Sequence, residues 1–294
     1  MAKRSIIPFG PQHPVLPEPV HLDLVLEDET VVGVIPSIGY IHRGLEKLVD
    51  KRDFKQYTYV AERICGICSC GHGLGYCLAV EQVMNIEVPD RAKYLRTIWV
   101  EMSRVHSHLL WLGLLADAMG FESLHMESWR LREKILDMFD ETTGGRIIHS
   151  VNQVGGVQKD MDSTMLNDIL HAIDDIEKQM KPIVKTFLHD YTVQSRLKGV
   201  GVLSKDDAIA QGAVGPMLRA SGVEYDARLL GYGAYKDLTV EPIISKDGDS
   251  YGRCEVRLKE LFQSFDLIRE AIGKIPQGDI SVPVKGNPDG EYFV

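Results

Sequence analysis

The sequence predicts a mostly helical α+β fold, in which a bundle of long helices follows a small antiparallel β element at the amino terminus. Beyond residue 90, apolar residues recur at intervals of three and four, which is the helical period, whereas near the amino terminus they alternate, which is the strand period. The chain has 294 residues, 44% of them hydrophobic, and is long enough to bury one large core. We therefore expect a single domain over residues 1–294, with a β-rich part at 1–40 and the helical bundle at 41–294.

The β element is expected as a hairpin within the first forty residues. Prolines and a turn at 10–14 precede residues 21–26, in which apolar side chains alternate. The acidic residues 27–29 are a plausible turn, and the apolar run 31–35 supplies the second strand.

Four long helices are expected after the hairpin. The first begins near Arg91, because the apolar residues from Leu95 to Leu112 fall on one face of a helix. The second ends at Gly144 and the fourth ends before Pro276, since glycine and proline commonly stop helices. The second, third and fourth helices are expected over 124–141, 161–188 and 251–275. Between the last two, the glycine-rich residues 199–250 are either an ordered loop lining a site or a simple connection.

The composition excludes several functions. A net charge of −9, from 42 acidic and 33 basic residues, argues against nucleic acid as the main partner. No apolar run approaches the roughly 18–20 residues of a membrane span, and the start of the chain lacks the apolar core of a signal peptide. We therefore expect a cytoplasmic protein that is able to dock on a membrane complex. The five cysteines, most of them clustered near a histidine, favour metal or redox chemistry in a reducing compartment.

The strongest chemical signal is the segment 63–72, which contains Cys65, Cys68, Cys70 and His72. A CxxC turn brings two thiolates within bonding distance of one metal ion. Four interpretations compete: a pair of ordinary buried thiols, a zinc site completed by His72 and Cys77, a thioredoxin-like dithiol, and ligation of an iron-sulfur cluster. The CxxC alone does not choose among them.

A longer pattern is more specific. Arg43-Gly44-Leu45-Glu46 is followed, after sixteen residues, by Arg63-Ile64-Cys65-Gly66-Ile67-Cys68 and then by His72. This pattern resembles the amino-terminal metal signature of nickel-iron hydrogenase large subunits. Residues 10–14, 39–44, 155–157 and 215–219 resemble the membrane-associated, energy-converting group of that family and also the homologous quinone-site subunit of respiratory complex I. The respiratory subunit lacks the metal-binding thiols, so the retained cysteines favour a hydrogenase.

The resemblance implies a nickel-iron centre. Cys65 would be a terminal nickel ligand, Cys68 would bridge nickel and iron, and the iron would also carry small diatomic ligands. The amino-terminal glutamate of the family, which passes protons, corresponds to Glu18; without the resemblance, an ordinary exposed loop glutamate is the preferred interpretation of this residue. Cys70 and Cys77 lie outside the pattern and are expected to be buried.

Four further residues would support the metal ligands. Arg43 and Glu46 would help to orient the metal site, and Arg63 would place a positive charge beside Cys65. His72 would donate a hydrogen bond to a cysteine sulfur rather than bind metal. His106 and His108, on the first long helix, point in different directions and are expected to be structural.

The implied reaction is reversible H2 oxidation and proton reduction. Because the chain has no cluster motif of its own, the resemblance implies an iron-sulfur small subunit as partner, ferredoxin as electron partner, and integral membrane subunits that couple the reaction to ion translocation. The chain would then lie at the cytoplasmic face of the membrane. The alternatives are a complex I-like subunit that reduces a quinone or a sulfur compound, and a non-catalytic scaffold.

The pattern departs from the family at its carboxyl end. The family has a second CxxC there, whereas the only late cysteine in this sequence is Cys254. We expect that a carboxyl-terminal portion is absent from this sequence; a relative that has lost the metal centre and a cleaved form are the alternatives.

Overall fold

The computed structural model describes residues 4–14, 16 and 18–294. Its Cα positions form two compact units, Met1–Arg52 and Asp53–Val294. The mostly helical α+β prediction is confirmed, because long helices dominate the second unit and the first contains a small antiparallel sheet.

The first unit is built on a three-stranded antiparallel sheet in the order β1-β2-β3. The strands are β1 (Arg4–Phe9), β2 (His21–Glu27) and β3 (Thr30–Ser37), and the short helix α1 (Leu45–Val49) follows them. The predicted hairpin is β2 and β3, and its turn contains Asp28 with a positive φ of 54°. The strand β1 adds to the hairpin by pairing Ile7 with Leu24, where the sequence indicates only extended chain.

The second unit contains the four expected long helices and several shorter elements around them. In chain order the elements are α2 (Phe54–Ala61), α3 (Ser69–Val83), α4 (Asp90–Ala118), α5 (Glu122–Thr143), β4 (Asn152–Gln153), β5 (Gly156–Val157), α6 (Ser163–His189), α7 (Tyr191–Leu197), α8 (Lys205–Ala210), α9 (Gly215–Ala220) and α10 (Ser250–Lys274). The observed long helices α4, α5, α6 and α10 begin and end within a few residues of the expected positions, apart from the carboxyl end of α4, which runs six residues beyond Leu112.

Helix α4 is the central helix of the bundle. It packs against α5 and α10, and α6 packs against both of those helices. The apolar stripe that predicted α4 is buried, with Leu95, Trp99 and Leu109 each 0% exposed. A second apolar cluster lies around Cys77 of α3.

A buried ion pair fixes α3 to α4. Arg96 of α4 donates to both carboxylate oxygens of Glu81 of α3, at 2.9 and 2.6 Å. The same guanidinium donates to the backbone carbonyls of Gln153 and Gly156 in the β4–β5 turn, while the Gly155 N–H donates to Glu81. Gly156 has to be glycine because a Cβ there would lie 2.1 Å from the carbonyl oxygen of Ile280. The glycine pair thus lets the chain at residues 280–284 pack directly against the β4–β5 turn that Arg96 contacts.

Residues 199–250 form an ordered segment of short helices and turns rather than a flexible connection. Helix α9 packs against α10, and Arg219 of α9 reaches a buried glutamate of α10. Across the part of the chain that the structure describes, no helix combines the length and the apolar character needed to cross a membrane.

Candidate functional site

The CxxC turn connects α2 to α3. A single 3-10 turn, Glu62–Ile64, follows α2, and Cys65 then adopts an extended conformation with φ −143° and ψ 133°. The Ile67 N–H donates to the Cys65 sulfur at 3.4 Å. Cys68 is the N-cap residue of α3, and its side chain makes no capping hydrogen bond.

The five cysteines differ sharply in accessibility. Cys65 is half-buried and Cys68 is exposed, whereas Cys70, Cys77 and Cys254 are buried. Burial raises the pKa of each of these three buried thiols to about 12, so they are protonated and inert at neutral pH. The two accessible cysteines are the two that the sequence pattern predicts as metal ligands.

The donor set for a metal is incomplete within the described residues. Residues 4–14, 16 and 18–294 contain no group of three or more His, Cys, Asp or Glu side chains that could hold a metal ion. The zinc site that would use Cys65, Cys68, His72 and Cys77 is therefore not assembled in the described structure. Two soft thiols on one turn match two ligand positions of a thiolate-bound metal centre, and they do not complete it.

Two of the predicted supporting residues lie close to the turn in sequence. Arg63 is exposed, and its guanidinium donates to the Tyr59 carbonyl in α2. His72 is half-buried in α3, and burial lowers its pKa, which keeps the imidazole neutral at pH 7. Because no hydrogen bond from the His72 side chain occurs among the described residues, its contact with a cysteine sulfur stays a prediction.

The remaining predicted residues belong to the first unit. Glu18 lies in an exposed bend, Arg43 is exposed, and Glu46 lies in the first turn of α1. Gly44 is the N-cap residue of that helix and has a left-handed conformation, with φ 66°. Arg43 lies directly before it in the chain. Their roles at a metal site stay predictions.

A buried carboxyl that the sequence pattern does not reveal lies directly before the turn. Glu62 is 0% exposed, and its Oε2 accepts a hydrogen bond from the Ser150 N–H at 2.7 Å. Burial raises the pKa of this carboxyl. The loop after α5 that supplies Ser150 also fixes the start of α3, because Ser69 Oγ donates to the Ile147 carbonyl at 2.6 Å.

A cavity of about 670 Å³ opens along the outer face of α3. Gly71 and Gly75 line it, and a Cβ at either position would meet nothing within 4 Å. Gly71 and Gly75 follow Cys68 by three and seven residues, which places them on the same face of the helix as this cysteine. Tyr232 and Val100 also line the cavity. The exposed thiol and the cavity therefore share one side of α3.

A network of buried charges lies on the inner side of α4. Tyr235 and Ser264 donate to Glu101, and Arg228 lies 3.5 Å from the same carboxylate. Arg228 pairs with Asp226 at 2.8 Å.

The same network continues to Glu260 of α10. This carboxylate accepts from Arg219 at 2.6 Å and interacts with His108 Nε2 at 2.9 Å. Although burial opposes ionisation, the His108 hydrogen bond and the Arg219 charge hold the pKa of Glu260 at about 2. These contacts connect α4, α9 and α10 with residues 226–235, which lie between α9 and α10 in the chain.

One signal in the sequence could have revealed this network. Glu101, Arg104 and His108 occur at spacings of three and four within the apolar stripe of α4, where charged residues are unexpected unless they are paired. His106 is also buried and accepts a hydrogen bond from Arg132, as suits a structural histidine. For Glu62 there is no comparable signal, because it lies in a short 3-10 turn that has no apolar period.

Two family models match adjoining parts of this chain. The model described as respiratory-chain NADH dehydrogenase, 49 Kd subunit, matches residues 118–287. The model described as nickel-dependent hydrogenase matches residues 43–119, which contain the whole of the pattern from Arg43 to His72.

Proteins named as hydrogenase subunits and proteins named as dehydrogenase or oxidoreductase subunits are similar to this chain over nearly its whole length. The alpha subunit of the membrane-bound hydrogenase of Pyrococcus furiosus is 39% identical over 96% of this chain and 68% of that protein. A subunit of the F(420)H(2) dehydrogenase of Methanosarcina mazei is 36% identical over 99% of this chain and 81% of that protein. A subunit of the NADH-quinone oxidoreductase of Chloroherpeton thalassium is 38% identical over 95% of this chain and 64% of that protein.

A solved structure has the same fold. A chain of the membrane-bound sulfane sulfur reductase, an archaeal respiratory membrane complex, superposes with a TM-score of 0.91 at 31% identity. The match covers 96% of this chain and 76% of that one.

Proposed function

We propose that this chain, which belongs to the family of the respiratory-chain NADH dehydrogenase 49 Kd subunit and the nickel-dependent hydrogenases, is the catalytic subunit of a membrane-bound [NiFe] hydrogenase. The proposed reaction is reversible H2 oxidation and proton reduction. The relatives named above are subunits of oxidoreductases, two of which are named as membrane-bound. The choice of H2 among the reactions of these relatives rests on the thiols.

The observation that carries the proposal is the accessibility of Cys65 and Cys68. The chain keeps three other cysteines buried and leaves these two reachable at the start of one helix. Thiols that only pack in the core need no such exposure, whereas reactive cysteines typically lie in partly exposed sites. The nickel-dependent hydrogenase model also matches the stretch that contains them.

In the proposed site Cys65 and Cys68 supply two of the thiolates that hold a nickel-iron centre. When bound, this centre would supply the metal ions at which H2 is polarised and split heterolytically. The protein would contribute the surroundings: Arg63 and His72 flank the thiols, Arg43 and Glu46 help to orient them, and Glu18 passes protons. The two thiols fit part of the centre, and the described residues do not supply the rest of its ligands.

The proposed partners follow from the absence of any cluster-binding motif among the described residues. An iron-sulfur small subunit would carry electrons away from the site, ferredoxin would exchange them, and integral membrane subunits would couple the reaction to ion movement. We place the chain at the cytoplasmic face of the membrane as part of this complex. The naming of homologues as membrane-bound supports that placement.

Nickel analysis of the purified native complex tests the proposal. About one nickel per copy of this chain is expected, with loss of nickel in Cys65→Ser and Cys68→Ser. Cys254→Ala is the matched control, since this thiol is buried in α10 and is expected to leave the nickel content unchanged. A complete complex that contains no nickel and does not consume H2 would contradict the proposal.

A second candidate is a reductase of a quinone or a sulfur compound. The cavity of about 670 Å³ beside α3 favours it, because a substrate larger than H2 requires such space. The same preparation discriminates: reduction of a quinone or of sulfane sulfur without nickel supports the reductase. A complex without nickel and without either activity would instead indicate a scaffold subunit.

A further inference from the structure

Glu62 has one carboxyl oxygen without a hydrogen-bond partner. Its side chain is completely buried, Oε2 is satisfied by the Ser150 N–H, and Oε1 has no hydrogen-bond partner within residues 4–14, 16 and 18–294. A buried polar atom in this state costs free energy comparable to a lost hydrogen bond, and such atoms are commonly satisfied by ordered water.

Helix α3 is shaped to receive this oxygen. A Cβ at Gly73 would lie 2.8 Å from Glu62 Oε1 and 2.8 Å from its Cγ, so only glycine lets the carboxyl rest against the helix backbone. Two residues further along, a Cβ at Gly75 would meet nothing within 4 Å. The need for glycine is therefore specific to the face that contacts Glu62.

A second unpartnered oxygen lies against the same part of α3. Asn152 is 0% exposed, and its Nδ2 donates to the Cys70 carbonyl at 3.2 Å and approaches the Cys70 sulfur at 3.8 Å. This carbonyl accepts but cannot donate, so the contact fixes which side of the amide is the oxygen. Asn152 Oδ1 is buried and has no hydrogen-bond partner in the described structure. Cys70 and Gly73 lie one turn apart on the inner face of α3.

The two oxygens cannot satisfy each other while Glu62 is ionised, because both are then acceptors. Water donates two hydrogen bonds and can serve both. A protonated Glu62 donates one hydrogen bond itself and then needs an acceptor, which water or the amide supplies.

We propose that the inner face of α3 contains a buried hydration site, in which water contacts Glu62 Oε1 and Asn152 Oδ1, and that Glu62 exchanges protons through it. The hydration site stands on the geometry alone, while the proton role rests on the proposed function. The step is a proton transfer, in which Glu62 Oε1 takes one proton from the adjoining water or gives one proton to it. No electron moves.

The groups around Glu62 suit a carboxyl that changes its protonation state. Among the described residues, Arg63 on the same turn is the charged neighbour that lowers the pKa of Glu62, and its effect is smaller than that of burial. On α3 the neighbouring titratable groups are Cys70 and Cys77, whose thiols are neutral at pH 7.

The loop after α5 adds no charge at neutral pH. It contributes the Ser150 N–H, and next to it His149, whose pKa burial lowers to about 4. Among the described residues Glu62 therefore has no strong ion pair, whereas Glu81 accepts hydrogen bonds from Arg96 at both carboxylate oxygens.

Infrared spectroscopy of the full-length, metal-free chain tests the hydration site. A protonated carboxyl gives a C=O stretch, and we expect one that persists above the pH at which exposed glutamates ionise, is lost in Glu62→Gln, and shifts in D2O because the site exchanges protons with solvent. Glu87→Gln, an exposed glutamate, is the control and should leave the band unchanged. Absence of the band would overturn the proton role of Glu62, and a band that does not shift in D2O would overturn the hydration site.

Two alanine substitutions on one helix provide a second test that does not depend on Glu62→Gln folding. Gly73→Ala is expected to shift the band, because its Cβ displaces the carboxyl, whereas Gly75→Ala is expected to leave the band in place. Equal spectra for the two variants would contradict the site. In the complete complex, Glu62→Gln is expected to slow isotope exchange between H2 and solvent at unchanged nickel content, and unchanged exchange would remove the proton role. A complex without nickel would refute the proposed function and leave the spectroscopic result standing.

Discussion

Replacement of Arg96 by methionine tests the ion pair that fixes α3, and with it the CxxC turn, to the helical bundle. Both side chains of the Arg96–Glu81 pair are at least 97% buried. The substitution removes both hydrogen bonds to Glu81, leaves that carboxylate buried without a counter-charge, and takes the donor away from the carbonyls of Gln153 and Gly156. Loss of one partner of a buried pair costs about 3–5 kcal/mol.

Urea unfolding followed by circular dichroism measures this cost. We expect Arg96→Met to lower the free energy of unfolding by about 4 kcal/mol, which with a slope of about 2–3 kcal/mol per molar urea is a midpoint lower by roughly 1.3–2 M. Arg130→Met is the matched control, because Arg130 pairs with Glu127 at the surface, where such a pair contributes about 0–1 kcal/mol.

A double variant separates the buried charge from lost packing. Arg96→Met combined with Glu81→Gln removes the uncompensated charge while the new amide still accepts the Gly155 N–H, so it is expected to be more stable than Arg96→Met alone. The reasoning is refuted if Arg96→Met is no less stable than Arg130→Met, or if the double variant is as unstable as Arg96→Met.

Three further predictions follow from the structure. Brief alkylation of the folded chain is expected to modify Cys65 and Cys68 only, as measured by peptide mass spectrometry, because the other three thiols are buried and protonated; equal labelling of Cys254 would contradict this. Gly156→Ala is expected to lower the free energy of unfolding in urea by about 1–3 kcal/mol more than Gly278→Ala. The two glycines have nearly the same φ, 147° and 148°, but only at Gly156 would a new Cβ meet backbone atoms. Equal midpoints would contradict the prediction and show that the close approach to Ile280 is relieved. The free energy of unfolding is expected to fall as the pH is lowered from 7 to 5. Burial lowers the pKa of His106 to about 3 and of His108 and His149 to about 4. The unfolded chain therefore binds protons near pH 6.5 that the folded chain does not bind, which favours the unfolded state. The raised pKa of Glu62 acts in the opposite direction, since this carboxyl binds a proton more tightly when folded, but it is one group against three; a thermal midpoint that rises between pH 7 and pH 5 would contradict the prediction.

The long helices were predictable because their burial is periodic. In α4 the apolar stripe marks the face that is buried, and in α5 Gly144 ends the helix with a positive φ of 78°. The β2–β3 hairpin was predictable for the same reason, since alternating residues face opposite sides of a sheet. In each case the signal lies within one segment of sequence.

Helix α3 shows where local signals fail. Gly71, Gly73 and Gly75 lower its intrinsic helix propensity, so no local pattern indicates a helix after the CxxC turn. The helix is stabilised instead by contacts with distant residues, namely the Glu81–Arg96 pair and the Ser69 hydrogen bond to Ile147. Gly73 makes room for Glu62, and Gly71 and Gly75 line the cavity, which is visible only in three dimensions.

The candidate site divides in the same way. The cysteines could be predicted because their spacing is itself the signal, but their accessibility could not, since Cys68 and Cys70 are two residues apart and differ only in which side of α3 they occupy. The pairing of Glu260 with Arg219 and His108 was beyond sequence reasoning because it joins segments 41 and 152 residues apart.

The fold does not decide among the reactions of this family, since a hydrogenase subunit, an F(420)H(2) dehydrogenase subunit and a chain of a sulfane sulfur reductase all resemble this chain over nearly its whole length. The buried charge network that connects α4, α9 and α10 stabilises the fold and is compatible with any of these reactions. The distinguishing features are concentrated on α3, which has an exposed thiol and a glycine-lined cavity on its outer face and an unpartnered carboxyl on its inner face. The cavity favours a quinone or sulfur reductase, whereas two accessible thiols favour a hydrogenase, which needs thiolate ligands for its metal centre. A proton route would serve either reaction, because reduction of a quinone also consumes protons, so the choice of the hydrogenase rests on the thiols.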